Sequence, residues 1–318
     1  MSVATSGIER SGSKAGARRL EGAILIAGPT ASGKSALALA IAERNGGVIV
    51  NADSMQVYSV LHVLTARPGA EELARASHWL YGHVDPAQAY STGMWLRDVE
   101  RLVGNGAISG RPVIFVGGTG LYFRALVEGI AEMPDIPAVI RNRWRAALHQ
   151  KGAAALHEML SLRDPAAGEQ LRPTDGQRIV RALEVIDVSG RSILDWQAGV
   201  GRPLIDGLSA RFIVVEPDRS ELVARIEKRF DMMMEQGAFA EAERLGALGL
   251  DPMLPAMKAI GVRELLAAQM GKMTLDEAVQ RAKTATRQYA KRQTTWFRHQ
   301  LGPQWQRIAK AENGLKEA

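Results

Sequence analysis

The chain has 318 residues, 46% hydrophobic and 23% charged, a balance that excludes a disordered or fibrous chain and leaves room for about two globular domains. No stretch approaches 18 consecutive apolar residues, so no membrane span is expected, and the first 21 residues lack the apolar core of a secretory signal. There is no cysteine, which removes disulfides, thiolate metal sites and cysteine nucleophiles together, and the net charge of +6 is compatible with a polyanionic partner.

Residues 1–21, rich in Ser, Gly and Arg, read as a disordered tail. AILIA at 23–27 is a short apolar run that breaks at Gly28 and Pro29, a buried strand feeding a loop. From Ser35, SALALAIAERNGG has helix-forming composition and stops at two glycines. GVIVNADS follows as a second strand with Asp53 at its C-terminal end, and PVIFVGG at 112–118 as a third, opening into a helix over TGLYFRALVEG. Between about 126 and 205 the strand signal vanishes and helical segments such as IPAVIRNRWRAALHQKG and DGQRIVRALEVIDVSG take over. RFIVVEP at 211–217 is a fourth strand, after which the chain reads as mostly helical to its end. Strands alternating with helices predict a parallel sheet with crossovers. The expected architecture is α/β: a parallel-sheet core from 22–125 and 206–318 with a mostly helical C-terminal region, interrupted by a helical insertion at 126–205.

GPTASGKS at 28–35 fits the G-x-x-x-x-G-K-[ST] pattern in the right context, strand before and helix after. Gly28, Pro29, Thr30, Ala31, Ser32 and Gly33 form a tight backbone nest for an anion, and Lys34 adds a point charge. The following helix points its positive end at the same spot, and the Ser35 hydroxyl is placed for Mg2+. Phosphate binding follows; the fate of the phosphate does not. A phosphate-transferring relative needs a carboxylate at a strand end, and VIFVGG ends in glycines. Asp53 does stand at a strand end, where a magnesium ligand, a turn-forming aspartate and a general base all remain open. Further on, residues 281–298 carry six Lys/Arg and no acid, interleaved with Tyr289, Trp296 and Phe297, a composition suited to phosphates and unpaired bases.

Nine stretches in order, GPTASGKS, NADSMQVY, TARP, HVDP followed by AYS, FVGGTGLYFRAL, DGQRIVRALEV, RIEKRF, KAIGVREL and RQYAKRQTTWFRH, resemble the bacterial tRNA dimethylallyltransferases over residues of about 23–300. The resemblance implies a P-loop NTPase-like fold and transfer of a dimethylallyl group from dimethylallyl pyrophosphate to N6 of adenosine 37, in tRNAs reading codons that begin with U. It further implies Mg2+ as cofactor and the tRNA anticodon stem-loop as partner; the absence of cysteine suits a reducing cytoplasm, and a monomer is the default expectation. On this reading the phosphate loop grips a pyrophosphate leaving group rather than a nucleotide. By resemblance Asp53 is the base that takes the amine proton, Thr119 holds substrate at the reacting centre, and Arg229 is an extra cation on the pyrophosphate, with Arg225 one helical turn away.

The same resemblance assigns tRNA contact to Asp53, Ser54, Met55 and Gln56, to Thr119 and Arg141, and to Gln177, Arg178, Ile179, Val180 and Arg181. It adds Lys258, Ala259, Ile260, Gly261, Val262 and Arg263, and then Lys291, Arg292, Gln293, Thr294, Thr295, Trp296, Phe297 and Arg298. The sequence departs from the family pattern at Leu64, where Gly is usual, and at Arg67, where Lys is commoner; both bear on local loop geometry. Trp79, where a second His is frequent, and Trp95, in place of Phe, read as packing variations. Three other readings compete: prenylation of free AMP or ADP, which needs neither the insertion nor the basic C-terminal stretch; an ATP-dependent small-molecule kinase, suggested by the phosphate loop alone; and a nucleotide-gated RNA-binding switch with no chemistry of its own.

Overall fold

A computed structural model describes residues 19–199 and 201–315. Of the predicted tail, residues 1–18 lie outside the described residues; Leu20 is fixed, its N–H donating to Leu204 O (2.8 Å) and its carbonyl accepting from the Asp206 N–H (3.0 Å).

The first strand, β1 (Ile24–Ala27), runs straight into the phosphate loop and α1 (Lys34–Asn45), whose stop is Gly46 in the left-handed region at φ 63°. Next come β2 (Val48–Asn51), α2 (Ala70–Arg75), the three-residue β3 (Ser77–Trp79) and α3 (Thr92–Gly104). β4 (Val113–Gly117) leads through Gly118 and Thr119 into α4 (Gly120–Glu128). The insertion comprises α5 (Ala138–Arg163), α6 (Pro165–Gln170), α7 (Gly176–Ser189) and α8 (Ile193–Gln197). The segment IPAVIRNRWRAALHQKG ends at a break: Gly152, at φ 79° and ψ 169°, divides α5 in two. After β5 (Arg211–Val215) the chain forms α9 (Arg219–Glu235), α10 (Ala238–Ala247), a 3-10 turn at Ala256–Lys258 and α11 (Val262–Gln269). It closes with α12 (Leu275–Gln300), β6 (Gln306–Ile308) and α13 (Ala311–Leu315). Two strands escaped the sequence reading. β3 and β6 are three residues each, too short for a periodic signal, and both sit at sheet edges.

The six strands form one parallel sheet in the order β3-β2-β4-β1-β5-β6. Alternation along β1 shows both faces covered: Leu25 and Ala27 enter one apolar cluster, Ile24 and Ile26 another. The order puts β1 between β4 and β5, and β2 beside β4, so the loops leaving β1, β2 and β4 emerge side by side at the carboxyl edge, where open parallel sheets bind ligands. Gly117 makes the closest approach. A Cβ there would lie 2.0 Å from Ala52 O, so the end of β4 and the turn before Asp53 are nearer than any side chain permits. Two further clusters lie off the sheet. One joins the 57–66 loop to α9, α10, α11 and α12; the other, around Trp144, Leu156, Ile179 and Leu183, belongs to the insertion.

α12 is fixed at its start by a reciprocal cap. The Glu277 N–H donates to Thr274 Oγ1 (3.2 Å), and the Thr274 N–H to Glu277 Oε2 (2.9 Å). At about 1.5 Å per residue the helix then spans roughly 39 Å, long enough to pass the phosphate loop with one face and meet solvent with the other.

Candidate active site

The phosphate loop folds as its glycines predict. Gly33 has φ 93°, Ala31 also takes a positive φ of 65°, and a Cβ on Gly28 would meet Ser32 Oγ at 2.7 Å and Val215 O at 2.8 Å. The start of α1 has no side-chain cap, which leaves its first N–H groups to an anion, with the exposed Ser35 in that first turn. Three cations converge. Lys34 Nζ donates to Pro29 O (3.2 Å), Arg225 donates to Ser32 O (3.2 Å), and Arg229 donates to the Thr30 hydroxyl. Burial pushes the Lys34 ammonium down to about 8; the Asp53 carboxylate pulls it back up, and the Arg229 charge lowers it further. Burial lowers Arg229 too, again opposed by Asp53. The loop therefore holds crowded positive charge awaiting an anion, with Asp53 within electrostatic reach.

Asp53 stands two residues beyond β2, and its backbone is clamped by Asn51. The Asn51 Oδ1 accepts from the Asp53 N–H (2.8 Å), while Nδ2 donates to Asp53 O (2.9 Å) and Leu80 O (3.0 Å). One carboxylate oxygen, Oδ1, accepts from the Met55 N–H (2.9 Å); the other, Oδ2, lies 3.2 Å from where a Gly118 Cβ would sit. Thr119 occupies the N-cap position of α4 without capping it. Its hydroxyl accepts from the Ser54 N–H (2.9 Å) and donates to Ser54 Oγ (3.2 Å), tying the β4 turn to the Asp53 turn. The Tyr81, Tyr122 and Tyr289 hydroxyls are all pushed up by burial, with the negative charge of Asp53 adding to the shift.

A cavity of about 570 Å³ opens over these loops. Asp53, Thr30 and Arg229 supply its charge and hydrogen bonds, Met55, Leu64, Ile226, Phe230 and Met233 its apolar wall, and Gln177, Lys258 and Arg292 further polar groups from α7, the 3-10 turn and α12. Such a mixture suits a ligand that is anionic at one end and hydrocarbon at the other.

The residues expected to meet RNA divide by burial. Along 291–298, Lys291, Arg292, Thr295 and Arg298 are exposed at spacings of one, four and seven, a single helix face. Arg298 also pairs with Glu216 (2.6 Å). The other four positions turn inward. Phe297 is 1% exposed, and its ring belongs to the sheet core, so it cannot stack on a base. Trp296 is half-buried over Gly120, Thr294 donates to Ala290 O (3.1 Å) in its own helix, and Gln293 is 5% exposed. In α7, Ile179 and Val180 fill the core of the insertion and present no side chain to a partner, whereas Arg178 is exposed and Arg181 half-exposed. Gly261 and Val262 are likewise buried, while Lys258, Ala259 and Ile260 line the cavity and Arg263 is exposed. Ser54 and Met55 line the cavity as well. Gln56 braces the TARP loop, donating to Thr65 O (2.9 Å) and Ala66 O (2.8 Å), and Arg141 donates to Ile136 O (3.3 Å).

One contributor was not anticipated. Glu241 of α10, 1% exposed, accepts from the N–H groups of His62, Val63 and Leu64 at 2.8, 2.8 and 2.9 Å. It thereby fixes the loop that brings Leu64 and Thr65 into the cavity wall. The available signal was positional: an acid in AFAEAERLGAL on the same helical face as Ala242 and Leu245. Glu241→Ala is expected to destabilise the protein by roughly 3 kcal/mol, because three backbone N–H groups, that of Leu64 buried and those of His62 and Val63 partly so, lose a charged acceptor. Urea unfolding of both proteins checks this.

The IPP transferase family model matches residues 56–300, and an isopentenyl transferase model matches residues 21–82. A protein called tRNA dimethylallyltransferase from Mesorhizobium japonicum is 68% identical over 95% of this chain and 94% of its own length; its counterpart from a Chelativorans species is 62% identical over 91% and 99%. The full-length tRNA isopentenylpyrophosphate transferase from Bacillus halodurans superposes with a TM-score of 0.65 at 31% identity, covering 94% of each chain. A eukaryotic dimethylallyltransferase, solved acting on tRNA, superposes at 0.76 with 25% identity over 92% of this chain and 75% of that one. This chain belongs to the tRNA dimethylallyltransferase family. It is thus an enzyme of the prenyltransferase kind on a P-loop NTPase-like fold.

Two departures from the tRNA dimethylallyltransferase pattern now have physical reasons. Leu64 does not distort its loop: it packs in the off-sheet cluster, lies 2.9 Å from a Cβ built on Gly261, and walls the cavity. Trp95 does more than fill space. Fully buried and stacked on Tyr122 at 4.1 Å, it donates its indole N–H to Asn51 O (2.8 Å), which a phenylalanine cannot do. That bond steadies the end of β2, two residues before Asp53.

Proposed function

We propose that this enzyme transfers the dimethylallyl group of dimethylallyl pyrophosphate to N6 of adenosine 37 in tRNAs reading codons that begin with U. The observation that carries the reading is the meeting of the Arg229–Thr30 pair, the Asp53 carboxylate and an apolar wall in one cavity. The reaction needs all three: cations for the diphosphate, a base for the proton that N6 loses at the reacting carbon, and hydrocarbon for the allyl chain.

In the reaction the bond from C1 of the allyl group to the diphosphate oxygen breaks, its electron pair leaves on the diphosphate, and the N6 lone pair forms the new C–N bond. N6 is a weak nucleophile, since its lone pair is delocalised into the purine, so both ends of the reaction need help. Phosphate-loop N–H groups, Lys34 and Arg229 stabilise the departing charge in a site withdrawn from water. Asp53 accepts the proton that N6 loses, its backbone held by Asn51 and its Oδ1 oriented by the Met55 N–H. Thr119 keeps the Ser54 turn beside it.

Mg2+ fits the donor present at the phosphate loop: the Ser35 hydroxyl, exposed in the uncapped first turn of α1, would be the protein's ligand to it. When bound, it neutralises charge on the leaving diphosphate.

For the RNA, the exposed face of α12 made by Lys291, Arg292, Thr295 and Arg298, with Arg178, Arg181 and Arg263, offers cations for the anticodon stem-loop backbone, and the cavity takes adenine 37 once it swings out of the loop. The enzyme acts as a monomer in the cytoplasm; no helix among the described residues is long and apolar enough to cross a membrane. With Mg2+, dimethylallyl pyrophosphate and undermodified tRNA, the purified protein is expected to yield N6-dimethylallyladenosine on nucleoside mass spectrometry. ATP hydrolysis without prenylated product would return the reading to a kinase, and prenylation of AMP in preference to tRNA would return it to the free-nucleotide class.

A further inference from the structure

The pairing of β1 with β4 ends at Ala27 and Gly117. Beyond that register the two strands become separate loops: one carries Thr30 and the phosphate nest, the other leads through Gly118 to Thr119 and the Asp53 turn. The backbone ladder no longer ties them. The buried side of α12 closes this gap. The Thr30 N–H donates to Gln293 Oε1 (2.9 Å), and Gln293 Nε2 donates to Gly118 O (2.8 Å). The fit is tight on both sides: a Cβ on Gly118 would fall 2.1 Å from Gln293 Nε2, and one on Gly120 would fall 2.1 Å from the Trp296 ring.

We infer that Gln293 is a positioning residue of the donor site, setting the phosphate loop and the Thr119–Asp53 turn at the separation that diphosphate binding and proton removal require. This rests on the function proposed above. The side chain has the chemistry such a bridge needs. A primary amide offers a donor and an acceptor at one uncharged tip, whereas glutamate cannot donate, lysine cannot accept, and methionine does neither strongly. Downstream of its two bonds lie both halves of the site. Thr30 holds Arg229 through its hydroxyl, and Thr119, next after Gly118, holds the Ser54 turn. Gln293 thus acts without touching RNA, although it stands inside a stretch whose exposed neighbours Lys291 and Arg292 face solvent.

The test measures two affinities on the full chain, for inorganic pyrophosphate with Mg2+ and for an anticodon stem-loop RNA. Gln293→Met keeps the volume and removes both bonds; it is expected to weaken pyrophosphate binding roughly tenfold to a hundredfold, the loss of one to two buried hydrogen bonds, with RNA affinity unchanged within twofold. Lys291→Ala is expected to do the reverse. Because the methionine variant can lose stability, Gln293→Asn serves as a second probe; its amide is one methylene too short to reach both partners, and its pyrophosphate affinity should fall between the other two. Wild-type binding of pyrophosphate followed by equal binding in a folded Gln293→Asn or Gln293→Met protein would overturn the inference, as would a loss confined to RNA. Failure of the wild-type protein itself to bind pyrophosphate would instead sink the donor-site reading, and this inference with it.

Discussion

Asp53→Asn is expected to slow prenyl transfer by about 10²–10⁴-fold, the range that a positioned general base supplies, while tRNA affinity stays within a few fold. The substitution is close to isosteric. The amide oxygen still accepts from the Met55 N–H, and the Asn51 clamp acts on the backbone and is untouched. What disappears is the ability to take a proton, together with one negative charge. The second loss has its own signature, because Asp53 raises the affinity of Lys34 and Arg229 for their protons. Without it, the Lys34 ammonium should titrate below its present value of about 8, so the variant's donor binding should weaken from a lower pH onward. Single-turnover rates at saturating donor and tRNA separate the two effects. If high Mg2+ restores the rate, Asp53 is a metal ligand and the base lies elsewhere.

The legible part of the site was local. A strand, a glycine-rich turn and a helix in succession are enough to specify an anion nest, because the N–H groups that bind the anion belong to consecutive residues. The order of motifs grouped Asp53, Thr119 and Arg229, and the structure brings all three to one edge of the sheet. The illegible part depended on which way a side chain turns. In KRQTTWFR the residue types suggest stacking by Phe297, and the family resemblance assigns RNA contact to Gln293; the periodicity of α12 sends both inward, Phe297 to the core and Gln293 to the phosphate loop. Ile179, Val180, Ala259 and Val262 follow the same rule, being apolar residues within motifs whose polar members carry the exposed surface. Glu241 and the edge strands β3 and β6 went unseen for a different reason. A three-residue strand has too few residues to show alternation, and an acid buried against three backbone N–H groups 177 to 179 residues away leaves no mark in its own neighbourhood.

Arg229→Gln should weaken donor binding about a hundredfold and, in the same protein, move the pH dependence of that binding upward. Both effects come from one arrangement. Arg229 is half-buried, donates to Thr30, and lowers the proton affinity of the Lys34 ammonium, which burial already holds near 8. In the empty wild-type site Lys34 is charged below that pH and neutral above it. Diphosphate binds the charged form, so the contribution of Lys34 to affinity should be level below about pH 7 and should decline by up to tenfold per unit above pH 8, as binding comes to require uptake of a proton on Lys34. Removing the Arg229 charge removes one of the forces driving that proton off Lys34, so the decline should begin at higher pH even though the binding is weaker throughout. Titration calorimetry with pyrophosphate from pH 6.5 to 9.5, in buffers of different ionisation enthalpy, reads affinity and proton uptake together. A decline that starts at the same pH in both proteins would mean that Arg229 and Lys34 do not share the anion's site, and the phosphate end of the cavity would have to be drawn again.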